Sequence, residues 1–220
     1  MISWADVERL YESYEGVAAD LGACDDVIAR LSDRTIDGGE TRPLPLGLQK
    51  VIALDDGETF LLRPIRPDDA AALIEMSAHC EPNDLRLRFF GAMWELPPRL
   101  AARLSDIDYD RAMAFLAIPS PPDGISSVAG VVRLAGDSDG VEAEYAVFVR
   151  SDLKHHGLGR RLMLELLAYA RGKGYARLFG HVLKENTPML ALARQLGGTV
   201  RTSAEDCAQM RVVFDLAGKA

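Results

Sequence analysis

A chain of 220 residues that is 48% hydrophobic and 26% charged can fill a substantial core, and its composition excludes an intrinsically disordered protein. Its formal net charge of -8 argues against non-specific nucleic-acid binding, which relies on an excess of lysine and arginine, and makes a basic partner the electrostatically natural one. No stretch approaches the roughly 20 apolar residues that span a bilayer, the start Met1-Ile2-Ser3-Trp4-Ala5-Asp6 lacks the pattern of a leader, and Cys24, Cys80 and Cys207 have no metal or disulfide spacing, so a cytoplasmic protein without a metal is expected.

Residues 1–50 read as a helical extension and linker. Val7, Leu10, Tyr11, Tyr14, Val17, Ala18 and Leu21 recur at helical spacing, and Val27, Ile28 and Leu31 suggest a shorter second helix. Asp37-Gly38-Gly39, Pro43 and Pro45 then break regular structure. This segment holds ten acidic and five basic residues, so most of the net negative charge belongs to it. The apolar helix face needs a cover, either the rest of the chain or a second copy, which makes a homodimer through this extension an open alternative.

The second unit is expected over 51–220, as an α/β domain. Phe60 to Ile65 reads as a strand, Asp68 or Asp69 as the cap of a helix to about Ala78, and Asn83 as the cap of a short helix through Phe90. Pro97-Pro98 opens another helix through Leu100 and Leu104. Ala112 to Ile118, Ser127 to Leu134 and Val141 to Val149 form an antiparallel meander, separated by turns rich in proline, aspartate and glycine. A helix over 157–172, a strand over 176–182, a helix over 187–196 and a strand near 210–214 complete the order.

Ser151 to Arg161 follows a predicted strand and opens a predicted helix. Gly157 and Gly159 allow the main chain to approach a ligand, and the unpaired N–H groups of a first helical turn favour an anion such as a pyrophosphate; Arg160 and Arg161 add positive charge. A plain strand-to-helix turn has the same letters. The spacing is not that of a Walker loop, and the third glycine of a dinucleotide fingerprint falls at Leu162.

Lys154-His155-His156-Gly157-Leu158-Gly159 resembles the GNAT acetyltransferase signature Q/R-x-x-G-x-G/A, with lysine in place of glutamine or arginine, and Leu183 to Gly198 resembles the second cofactor element of that family. Leu61-Leu62-Arg63-Pro64-Ile65-Arg66-Pro67-Asp68-Asp69, Leu87 to Gly91 and Asp106 to Asp110 are similar to bacterial protein lysine acetyltransferases of the Pat type, over roughly 61–200. The resemblance implies the GNAT fold: a mixed, mostly antiparallel central sheet flanked by helices, with a V-shaped splay between neighbouring strands, here Val141 to Val149 and Ala176 to Val182. It implies acetyl-CoA as cosubstrate, its pyrophosphate on Lys154, His155, His156, Gly157, Leu158, Gly159, Arg160 and Arg161, and its pantetheine arm completing strand-like bonds in the splay.

Acetyl transfer requires a neutral amine, and a free lysine with a pKa of about 10.4 is protonated at neutral pH, so a general base is needed. Glu142 and Glu144 lie two apart on one strand face. The resemblance to the Pat-type strand Glu144-Tyr145-Ala146-Val147-Phe148-Val149 makes Glu144 the first choice; a structural salt bridge, for instance to Arg133, is the alternative. Backbone N–H groups at Val147 to Val149 are the expected oxyanion donors. Asn186 is expected either to anchor the cofactor or to cap a helix before Thr187-Pro188. Ala193 stands where many family members carry a tyrosine that protonates the departing thiolate. Phe89, Phe90, Trp94 and Tyr109 either line an acceptor site or belong to the core, and His79 and His181 lack metal-ligand spacing. The expectation is an acetyl-CoA-dependent N-acetyltransferase acting by direct attack on a protein lysine, with an acyl-CoA synthetase as a possible target; the alternatives are a small-molecule amine acetyltransferase and a non-catalytic acyl-CoA-binding or docking module.

Overall fold

The computed structural model describes residues 44–217 apart from Ala92 and Glu205, so the expected helices of the extension lie outside the described residues. Eight strands form one sheet: β1 (Lys50–Ala53), β2 (Thr59–Pro64), β3 (Ala112–Pro119), β4 (Gly130–Gly136), β5 (Glu142–Val149), β6 (Arg177–Leu183), β7 (Thr199–Thr202) and β8 (Gln209–Asp215). Their order is β1-β2-β3-β4-β5-β6-β8-β7. Only β5 and β6 run parallel, because the chain between them crosses over through a helix. The helices are α1 (Ala70–Ala78), α2 (Pro82–Phe89), α3 (Pro98–Ser105), α4 (Leu158–Lys173) and α5 (Thr187–Gln195). None of the described helices is long and apolar enough to cross a membrane.

Strand alternation divides the core in two. Leu134 and Val132 of β4, Tyr145 of β5, and Leu178 and Val182 of β6 pack with Leu162, Leu166 and Ala170 of α4 and with Leu190 and Ala193 of α5. On the opposite face, Leu116 of β3 and Phe148 of β5 pack with Leu73 and Met76 of α1, Leu85 and Phe89 of α2, and Leu100 and Leu104 of α3. The meander is as expected, whereas β1 and β7 are additions: both are four-residue edge strands, and β1 buries only Ile52. Helix α2 begins at Pro82 with Glu81 in the capping position, so Asn83 lies inside it and does not cap it. Asp69 acts one turn earlier than a helix cap: its carboxylate accepts the Arg66 N–H at 2.7 Å and two guanidinium nitrogens of Arg63 at 2.7 and 2.6 Å.

β4 and β5 stay in register from Gly136 and Ala143 to Gly130 and Val149. β5 and β6, in contrast, pair only over Glu142 to Glu144 with Arg177 to Phe179, while β6 continues to pair with β8 through Leu183. The strands therefore splay beyond Glu144. The Asp137 N–H donates to Glu142 O, which sets even-numbered residues of β5 toward β4, and Val141 O accepts from Ala176 on the β6 side. Continuing that alternation turns the main-chain groups of Tyr145, Val147 and Val149 into the gap.

At the vertex the Tyr145 ring lies across Gly180 of β6. A Cβ added at Gly180 would come within 2.7 Å of the ring's Cε1, and the ring also meets Phe214 edge-on, with centroids 5.6 Å apart. Gly180→Ala is therefore expected to lower unfolding free energy by about 1–3 kcal/mol, whereas the same change made on Tyr145→Leu should cost much less. Urea denaturation of the four proteins measures the coupling.

Candidate active site

The splay opens into a cleft of about 570 Å³. β5 lines it from Tyr145 to Val149, α2 contributes Asn83, Asp84, Leu87 and Arg88, and His181, Val182, Asn186, Met189 and Leu192 form the opposite wall. Asp84, Leu87 and Arg88 fall at i, i+3 and i+4, so one face of α2 looks into the cleft.

The N-terminus of α4 closes one end. Gly157 takes φ 93°, a left-handed conformation suited to glycine, and turns the chain into the helix with no side-chain cap. The first-turn N–H groups are thus left for a ligand or solvent. Of the residues expected to hold the pyrophosphate, Lys154, His155, Gly157, Gly159 and Arg160 line the cleft, as do Val147, Val149 and Asn186. The other three do not. Leu158 is fully buried in the core, Arg161 pairs with Glu165 at 2.9 Å, and His156 is exposed with its Nδ1 3.7 Å from Asp56. His156 shares that exposed surface with Glu58, all three groups lying within 4.8 Å of one another.

Lys154 is engaged as an ion-pair partner. Its ammonium meets the buried carboxylate of Asp84 on α2, whose second oxygen accepts the Ser151 hydroxyl. Ser151 in turn accepts the Glu81 N–H at 2.8 Å. Arg150, only 1% exposed, binds Asp152 at 2.7 Å and also meets Asp123. The phosphate-type loop is therefore fixed to α2 on one side and to the loop before β4 on the other. Across the cleft, Arg86 of α2 reaches Glu185 at 2.6 Å, joining its two walls. That pair raises the guanidinium pKa and lowers the carboxylate pKa, mainly through the hydrogen bond they share.

Glu142 and Glu144 share the face of β5 opposite α4. Glu142 is held by Arg177 at 2.5 Å and by Arg211 at 3.2 Å. Glu144 stands beside the buried guanidiniums of Arg88 of α2 and Arg133 of β4. Desolvation pushes both below the ordinary arginine range, mutual repulsion pushes Arg88 further, and the Glu144 carboxylate offsets part of this for both. Arg88 was not legible as a site residue; its only signal is its place on the cleft face of α2.

Asn186 performs the capping role, its Oδ1 accepting the Met189 N–H at 3.2 Å, and it still borders the cleft. Ala193 is buried. Among the expected aromatic residues, Phe90 lines the cleft, Phe89 packs against Phe148 in the core, Tyr109 donates its hydroxyl to Ile65 O at 2.8 Å, and Trp94 is 81% exposed. The unexpected one is Tyr145, whose buried hydroxyl has no hydrogen-bond partner and whose pKa is raised by burial. His79 is exposed, and His181 stands edge-on to Phe179 at 6.0 Å.

Residues 82–197 match the model of the Acetyltransferase (GNAT) family. The chain is 31% identical over 160 residues to the acetyltransferase PA5475 of Pseudomonas aeruginosa, covering 73% of this chain and 86% of that protein. Its fold is similar to the GNAT domain of S. lividans PAT, with a TM-score of 0.71, 24% identity, and coverage of 79% of this chain and 99% of that one. It is also similar in fold to the cAMP-binding acyltransferase from Mycobacterium smegmatis, with a TM-score of 0.53, 20% identity, and coverage of 93% of this chain and 56% of that one.

The Lys154–Asp84 tie makes a stability prediction. Lys154→Met leaves the buried carboxylate with Ser151 alone and should lower unfolding free energy by about 1–3 kcal/mol; Lys154→Arg should retain most of it. Chemical denaturation at neutral pH distinguishes them.

Proposed function

Because the chain belongs to the GNAT acetyltransferase family, we propose that it transfers an acetyl group from acetyl-CoA to an amine, with a protein lysine as acceptor and Glu144 as general base. The observation that carries this reading is that a single cleft receives the uncapped start of α4, the open edge of β5 and the side chain next to Glu144, Arg88. The protein acceptor rests on the sequence similarity to Pat-type enzymes and on the likeness in fold to a PAT domain.

In this mechanism the first-turn N–H groups of α4 and the side chain of Arg160 hold the pyrophosphate. The main-chain groups of Tyr145, Val147 and Val149 hold the pantetheine arm as an added strand would. Acetyl-CoA supplies the activated thioester. Glu144 takes a proton from the acceptor ammonium, directly or through water, so that the neutral amine attacks the carbonyl. Val147 and Val149 offer the N–H donors for the oxyanion. Arg88 and Arg133 hold Glu144 in orientation. Ala193 offers no proton to the thiolate, which favours a solvent donor; it also favours, as a second reading, acyl-CoA binding without turnover.

Calorimetric titration with acetyl-CoA tests the cleft. A Cβ at Gly159 would lie 3.7 Å from Val149, an ordinary contact, so Gly159→Glu should fold and yet lose binding, because it sets a carboxylate at the helix start. Glu144→Gln should bind acetyl-CoA normally while its kcat falls by about 100- to 10,000-fold. Absence of acetyl-CoA binding by the wild-type protein sinks the proposal.

A further inference from the structure

The face of the sheet that carries Glu144 continues past α2 onto β6, β8 and β7. Alternation assigns Arg177, Phe179 and His181 of β6, Arg211 and Asp215 of β8, and Arg201 of β7 to this face, since Leu178, Val182, Val212 and Phe214 point into the core with α4 and α5. These positions are exposed or half-buried.

The sign of this surface is opposite to that of the chain. Arg177, Arg201 and Arg211 face Glu142 and Asp215, and behind them Arg88 and Arg133 face Glu144, so each group holds one more cation than anion. The whole protein has a formal net charge of -8. Arg201 and Arg211 stand directly opposite each other across the β7–β8 ladder. Like charges in that position repel, so the ladder itself does not favour the pair. Arg211 is fixed in place: Glu142 binds it at 3.2 Å and its guanidinium lies 4.4 Å from the centre of the Phe179 ring. Phe179 is the ladder partner of Glu144. A path therefore runs from Glu144 over Phe179 to Arg211 and Arg201, crossing from β5 through β6 and β8 to β7. At the usual strand spacing it covers about 10–15 Å, or roughly three to four residues of extended peptide.

We infer that the acceptor carries an acidic group about three to four residues from the amine that is acetylated, and that Arg201 and Arg211 bind it. This rests on the acetyltransferase reading with Glu144 as base. It deepens that reading by giving the acceptor a chemical class, an acidic peptide segment in place of the basic partner that net charge alone suggests. Guanidiniums spaced across two strands suit carboxylates, which they grip through paired N–H donors.

Two lysine-centred peptides of equal length test this, one with glutamates three and four residues from the lysine on both sides and the other with alanines there. Each is titrated calorimetrically into the full-length protein and into Arg201→Glu, an exposed edge position whose folding is checked by thermal melting. The glutamate peptide should bind the wild-type protein about fivefold more tightly, and the difference should vanish in Arg201→Glu and at high salt. Equal binding of the two peptides, no binding of either, or a preference that survives Arg201→Glu overturns the inference. Titration of acetyl-CoA into the same samples reports on the cleft alone. Loss there with the peptide preference intact counts against the acetyltransferase reading, whereas binding there without a peptide preference counts only against the acidic acceptor.

Discussion

The site depends on one interrupted ladder. β5 and β6 share hydrogen bonds only as far as Glu144 and Phe179, although each remains fully paired with its outer neighbour. A strand whose main-chain groups lack partners is costly unless water or a ligand supplies them. Here the vertex is held by a side chain: the Tyr145 ring takes the space that a side chain at Gly180 would fill, and Phe214 backs it. Everything else in the cleft is arranged around that opening. The start of α4 closes one end, α2 walls one flank, and the β6–α5 turn walls the other.

The long elements were legible because their patterns are strong. Alternation in Val141 to Val149, the glycines at 157 and 159, and the proline after Asn186 place β5, α4 and α5 within a residue or two of where they lie. β1 and β7 were not, because a four-residue edge strand that buries little apolar surface has no periodicity to read. Within the motif the letters do not show how the individual side chains pack. Lys154, expected at the pyrophosphate, lines the cleft and also pairs with Asp84, and the side chain of Leu158 is buried in the core. Asp84 and Arg88 come from a helix some 70 residues earlier in the chain, and only the tertiary fold brings them to the loop.

Net charge misleads in a similar way. It sums over surfaces that never meet the same partner, and fields from exposed charges fade within roughly 8–10 Å in physiological salt. The excess of arginine on the face of β6, β8 and β7 is therefore felt by a molecule lying on that face, while the acidic residues elsewhere are largely screened from it. Ten of the acidic groups belong to residues 1–50, which carry most of the net total.

The tie between Ser151, Lys154 and Asp84 has a mechanical meaning. It fastens the loop at the start of α4 to the helix that carries Arg88, and Arg88 stands beside Glu144. The Ser151–Asp84 and Lys154–Asp84 contacts therefore join one end of the cleft to the helix that stands beside the base. Loop and helix form one bracket, so a displacement of either is borne by the other.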